Sequence, residues 1–173
     1  DRFAERGAGA ESVVVFTHDR SATIDNIAAE YQVDAVLTPG HVGDTLEHIL
    51  VPLRGDDNLE RILGFVAVLL RESDATATIF NVAVSDDEAS RGELLVRGAC
   101  DRLEEDEGID PARIDWRIER DSSTANAIVE ASDEYDLLVV GESEPSLTER
   151  ILGAVTDEVI DRSPDPLLIV REP

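Results

Sequence analysis

The sequence predicts an α/β domain with a doubly wound parallel sheet, and three observations carry that prediction. Short apolar runs alternate with stretches whose apolar residues recur at helical spacing. The connections between them are brief and rich in Gly, Asp and Ser. Strict alternation of strands and helices over such short links leaves right-handed crossovers, with helices on both faces of the sheet.

Residues 48 to 54 (His48 to Arg54) form an apolar run ended by Gly55, the pattern of a strand buried on both faces. A helix follows, with Asp57 placed to cap it, Glu60 three residues on, and Leu59, Ile62, Leu63, Val66 and Leu70 on one stripe. Thr76 to Val84 is β-branched and apolar and predicts a second strand. Ser85 and Glu88 have capping-box spacing and open a helix through about Leu103. Ile114 to Glu119 predicts a third strand, and Ser122 or Ser123 caps a helix containing Ala127, Ile128 and Ala131. Leu137 to Val140, ended by Gly141, is the clearest strand. Ser146 with Glu149 introduces a last helix with Leu147, Ile151, Val155 and Val159 on one stripe, and Pro166 to Val170 closes the domain.

The front of the chain repeats part of this pattern. Asp1-Arg2-Phe3 and Asp101-Arg102-Leu103 open matching stretches. Each runs through a Gly-containing loop to a strand (Val13 to Thr17; Ile114 to Glu119), then to a helix carrying Ile27 or Ile128, then to a strand closed by Gly40 or Gly141. Residues 1–46 are therefore expected to be a degenerate half of a first repeat, a partial βαβ unit, and residues 47–173 a complete domain. The absence of methionine and the opening at Asp1 suggest a piece cut from a longer chain.

Composition excludes several function classes. A formal net charge of −24 repels nucleic acid and anionic lipid, which are bound through basic clusters. No apolar run reaches the ~20 residues of a membrane span. All 15 basic residues are arginine and the acids are spread along the chain, a pattern expected of salt adaptation. At molar salt the Debye length falls to about 3 Å, which screens the self-repulsion. One cysteine, Cys100, forms no internal disulfide, and a cytoplasmic setting is expected.

Candidate chemistry is sparse. His41, Gly43 and Asp44 form a possible metal or phosphate loop without a second ligand cluster. His18 and His48 are single histidines near strand ends. Cys100 lies beside Ala99 on an apolar helix face, as expected of a buried, inert thiol. Ser122, Ser123 and Ser146 read as helix caps, since no histidine accompanies them. No metal site, catalytic constellation or required cofactor emerges, and a binding module is expected in place of an enzyme.

Three stretches carry a family likeness. They are Ile49-Leu50-Val51-Pro52; the Ala127-Ile128 helix leading into Asp136-Leu137-Leu138-Val139-Val140-Gly141; and Leu152-Gly153-Ala154-Val155-Thr156 followed by Pro166-Leu167-Leu168-Ile169-Val170. Together they resemble the universal stress protein family. The resemblance implies a five-stranded parallel sheet of order 3-2-1-4-5 and a homodimer paired through the last strand, Leu167, Leu168, Ile169 and Val170. In some members it also implies ATP or another adenine nucleotide between strands one and four, and slow ATP hydrolysis or autophosphorylation is the alternative function it implies. Haloarchaeal members occur as cytoplasmic tails of transporters, including amino-acid transporters, and the same parentage is expected here.

The expected crevice is lined by Pro52, Leu53, Arg54, Val82, Gly141, Ser143, Glu144, Gly153, Ala154 and Val155. ATP-binding members resemble one another in an aspartate after the first strand and in a loop of Gly, two residues, Gly, nine residues, Gly, then Ser or Thr. Here Arg54 stands at the aspartate, Glu144 at the second glycine and Ala154 at the hydroxyl, and the interval before Gly153 is one residue short. Glu144 places bulk and negative charge where a polyphosphate would approach the backbone. Weak or absent ATP binding is expected. Arg54 has two open fates: to pair with Glu142 or Glu144 and fill the crevice, or to receive the phosphate or carboxylate of another small anion.

Overall fold

The computed structural model describes residues 45–142 without interruption, together with 18, 23, 26–27, 30–38, 40, 159, 162 and 165–171. Six strands form one sheet: β1 (Ala35–Thr38), β2 (His48–Pro52), β3 (Thr76–Ala83), β4 (Ile114–Arg120), β5 (Leu137–Glu142) and β6 (Leu167–Arg171). The described helices are α1 (Leu59–Arg71), α2 (Asp86–Glu105) and α3 (Thr124–Ser132), with a short 3-10 turn at Pro111–Arg113. The expected strand Val13 to Thr17 and the helix opened by Ser146 lie outside the described residues, except that Val159 and Arg162 are helical, Val159 buried and Arg162 exposed.

The sheet order is β1-β6-β5-β2-β3-β4. From β2 to β6 every pairing is parallel, in the order 3-2-1-4-5 for the five strands of the main unit. The expected five-stranded parallel sheet is corrected at one edge. β1 adds a sixth strand, antiparallel to β6, with Ala35 opposite Val170 and Thr38 opposite Leu167. The edge that was expected to pair with a second chain is thus bordered by the same chain. The physical reason is that β6 is apolar and would otherwise present an unpaired row of backbone groups.

Alternation along the strands builds two core layers. On one face Ile49, Val51, Ile79 and Val139 pack with Ile62 and Val66 of α1 and Val96 and Leu103 of α2. On the other, Leu50, Phe80, Leu138 and Val140 pack with Ile128 and Ala131 of α3 and with Val159.

The helix starts follow local chemistry. Ser85 accepts from the Glu88 N–H at 3.3 Å, while the Glu88 carboxylate accepts from the Val84 N–H at 3.1 Å. Ser123 accepts from the Asn126 N–H at 3.4 Å at the start of α3. At α1 the expected cap, Asp57, is displaced by Asn58, which takes a left-handed φ of 57° that asparagine tolerates well. Its side chain is spent elsewhere, donating to the Val170 carbonyl at 3.1 Å and tying α1 to β6. At the opposite end of the sheet the Asp136 carboxylate accepts from the N–H groups of Glu47 and His48, at 2.9 and 2.8 Å, and sets the start of β2 beside β5.

Candidate functional site

Strand order reverses at β2, whose neighbours are β3 on one side and β5 on the other. The chain leaves β2 through α1 toward β3 and returns through α3 to β5. The carboxyl ends of β2 and β5, on either side of this reversal, are where a doubly wound sheet is expected to bind a ligand.

The described residues among those expected to line the crevice come from three strands and their ends. Pro52 ends β2 and is half-buried. Leu53, buried, is held at both of its peptide groups: its N–H donates to the Phe80 carbonyl at 2.7 Å, and its carbonyl accepts from Asn81 Nδ2 at 2.8 Å. Val82 lies half-buried two residues beyond Phe80, the partner of Pro52 in the ladder. Gly141 ends the apolar part of β5, and a β-carbon there would stand 2.4 Å from Ile62 Cδ1. The glycine thus lets α1 pack closely on β5, a reason separate from any ligand.

Arg54 corrects one premise. Expected at a buried strand end, it is exposed in the loop that leads to α1. Its guanidinium therefore has little desolvation to offset and does not require a carboxylate partner. Of the partners expected for it, Glu144 lies outside the described residues, and Glu142 is described in its backbone alone. Ser143, Gly153, Ala154 and Val155 also lie outside the described residues.

The surrounding charge bears on what the crevice accepts. α1 carries Glu60 in its first turn, and α2 carries Asp86, Asp87 and Glu88. These carboxylates already complement the positive ends of the helix dipoles. Asp86 also pairs with Arg120. A polyphosphate approaching either helix start meets acids, whereas Arg54 offers a single exposed cation at the end of β2.

Two residues that sequence reasoning passed over shape the site. Asn81 is buried within the apolar run of β3, 6% exposed, and fixes the Leu53 carbonyl. Gly92 of α2 makes room for it, since a β-carbon at Gly92 would lie 2.1 Å from Asn81 Oδ1. A lone polar residue in an apolar strand and a lone glycine inside a helix were the available signals.

The other candidates stay apart from the crevice. His48 Nδ1 lies 3.0 Å from Thr76 Oγ1 at the opposite end of the sheet, and His18 is exposed. His41, Gly43 and Asp44 lie outside the described residues. Burial, followed by the charges of Asp101 and Asp115, pushes the Cys100 thiol up from 9.0 to about 11, so it is a poor nucleophile. Among the described residues no group of three His, Cys, Asp or Glu side chains could hold a metal ion. Nor is any helix among them long and apolar enough to cross a membrane.

A doubly wound α/β domain with its crevice at the switch point is a nucleotide-binding type of fold. The model of the universal stress protein family matches residues 45–171, and the chain belongs to that family. Comparison with curated proteins gives no match. Among solved structures, a universal stress protein in complex with cAMP is 27% identical with a TM-score of 0.60, covering 74% of this chain and 98% of that one. The universal stress protein of Archaeoglobus fulgidus in complex with dAMP is 18% identical with a TM-score of 0.59, covering 72% and 97%. A functionally unknown protein from Pseudomonas aeruginosa PAO1 is 14% identical with a TM-score of 0.61 and covers 98% of this chain and 74% of its own. The last two likenesses bear on the fold alone.

Proposed function

We propose that this chain is a regulatory binding domain whose crevice takes a nucleoside monophosphate in preference to ATP, and that it senses its ligand without turning it over. The observation that carries this reading is the exposed Arg54 at the end of β2, beside helix starts already occupied by Glu60, Asp86, Asp87 and Glu88. One phosphate matches one guanidinium through charge-assisted hydrogen bonds, while a triphosphate must place its remaining charge against carboxylates. The complex with cAMP of a structural relative 27% identical to this chain favours the same ligand class.

Binding would be relayed through the loop from Leu53 to Asn58. Leu53 is pinned, and the far end of the loop enters α1, where Asn58 and Arg61 hold β6 and Asp34. We read the front segment, residues 1–46, as a degenerate half repeat, and the whole as a cytoplasmic, salt-adapted module fused to a larger protein such as a transporter.

Calorimetric titration with AMP, cAMP, dAMP and Mg-ATP in molar potassium chloride tests the reading. At least one monophosphate should bind about tenfold or more tightly than Mg-ATP, and Arg54→Ala should remove about 1.5–3 kcal/mol of that affinity. Tighter binding of ATP, or binding indifferent to Arg54, would overturn it.

A further inference from the structure

Among the described residues β4 is bordered on one side by β3 and has no strand on the other. The ladder shows which of its backbone groups face outward. The Thr76 N–H donates to the Glu47 carbonyl and the Leu53 N–H to the Phe80 carbonyl, so Thr76, Thr78 and Phe80 of β3 serve β2, while Ala77, Ile79 and Asn81 serve β4. In each bridged couple of a parallel pair one residue faces the partner strand and the other turns away. Ala77 is paired with Ile114, Ile79 with Trp116 and Asn81 with Ile118, so Ile114, Trp116 and Ile118 turn their backbone groups outward. The Trp116 N–H is accordingly met by the neighbouring Asp115 Oδ1, at 2.7 Å.

Side chains alternate along this border. Ile114, Trp116 and Ile118 share one face, on which Ile114 and Ile118 pack against the core. Trp116, the only tryptophan of the chain, stays 36% exposed, with the Arg97 guanidinium of α2 4.9 Å from its ring centre. Asp115, Arg117 and Glu119 share the other face, so the charges there alternate in sign.

We propose that two copies of this chain join their sheets antiparallel along β4, about a twofold axis through Trp116. In that register Trp116 stands opposite its counterpart, Ile114 opposite Ile118 and Asp115 opposite Arg117, the last two couples each occurring twice by symmetry. Apolar meets apolar and acid meets arginine at every position from Ile114 to Ile118. Cross-strand pairs of both kinds stabilise a ladder. The outward backbone groups fit the same register: the two copies of Trp116 exchange N–H and carbonyl bonds, and the Ile118 N–H donates to the Ile114 carbonyl of the other copy. The Ile114 N–H keeps its present bond to the Pro111 carbonyl. Arg117 is already held on its face by Glu119 at 2.7 Å and Glu134 at 3.4 Å, and its remaining N–H donors are free to take Asp115 of the second copy.

Neighbouring axes fail. At Arg117 like charges meet, arginine on arginine and Asp115 on Glu119. At Ile118, Asp115 meets Asp121 and Ile114 meets Ser122. The alternating charges thus turn away most strands and match this one reversed.

The experiment follows wild type by light scattering and tryptophan emission over a concentration series in molar potassium chloride, where repulsion between acidic copies is screened. Emission reports this border alone, because the chain has one tryptophan. Between about 1 and 200 μM the scattering mass should double while the emission maximum moves to the blue, as Trp116 leaves water. Asp115→Arg and Arg117→Asp each set like charges together twice, and each should weaken association about tenfold or more. The two changes combined restore opposite charges across the axis and should restore association. Circular dichroism identifies a variant that does not fold, and the wild-type series decides without any variant. Wild type that stays monomeric up to about 500 μM, association without an emission shift, or association indifferent to the single charge reversals overturns the proposal.

Discussion

Replacing Gly92 by alanine sets two effects of opposite sign against each other. In a helix interior the change should stabilise by about 0.8–1 kcal/mol on propensity. The structure opposes it, because the new β-carbon would stand 2.1 Å from Asn81 Oδ1. The Asn81 amide can yield only by turning, and turning breaks its 2.8 Å bond to the Leu53 carbonyl in a site where the two residues are 6% and 5% exposed. Overpacking costs about 1–3 kcal/mol and a buried carbonyl left unpaired about 1–3 kcal/mol. The costs outweigh the gain, and Gly92→Ala should lose about 2–4 kcal/mol net. With Asn81→Ala already present the obstacle is gone, and the same change should become neutral or stabilising. Urea denaturation of the four proteins of this cycle, in molar potassium chloride and followed by circular dichroism, should give a coupling of about 2 kcal/mol or more. Equal costs of Gly92→Ala in both backgrounds would refute the reasoning.

Two further outcomes follow from the same geometry. Cys100, with its thiol raised from 9.0 to about 11, should be alkylated by iodoacetamide at pH 8 roughly a hundredfold more slowly than a free thiol. The folded state holds this proton more tightly than the unfolded state, so the contribution to stability is present below pH 9 and is lost as pH rises toward about 11. Mass-spectrometric timing of the alkylation checks the first statement, and a rate equal to that of glutathione would contradict it. Gly141→Ala meets the far end of a flexible side chain, Ile62 Cδ1 at 2.4 Å, which can rotate away at a cost of about 1–3 kcal/mol. Thermal unfolding should remain a single transition, and loss of the folded state would show that Ile62 has no room to turn.

Most of the sheet was legible because its signals are local. Apolar runs, capping pairs such as Ser85 with Glu88 and the brevity of the links specify strands, helix starts and right-handed crossovers, and the order of β2 to β6 came from the family resemblance. What escaped depends on residues distant in the chain. Asn58 displaces Asp57 as the cap of α1 because its amide has a use at Val170, and nothing near Asn58 in sequence announces that. Likewise Arg113 is a cationic side chain whose hydrogen bonds go to the carbonyls of Ser73 and Ala75, holding the start of β3. Strand order marks the end of the sheet at which a crevice is expected, but the exposure of Arg54 and the pinning of Leu53 by Asn81 are three-dimensional facts. β1 was read as a strand from its apolar run and Gly40; its antiparallel place on β6 was not, since a four-residue run carries no direction or partner.

That place has a consequence for the order in which the protein can be made. Ala35 leaves the ribosome long before Val170, its partner, exists. Throughout synthesis of the parallel sheet β1 must wait without its ladder, and β6, synthesised last, completes both β5 and β1 at once. Contacts spanning nearly the whole chain are slow to close, and waiting strands are the segments most open to wrong pairing. Brevity is the safeguard: four residues offer too few backbone bonds to hold a stray partner, yet enough to close the sheet once its last strand arrives.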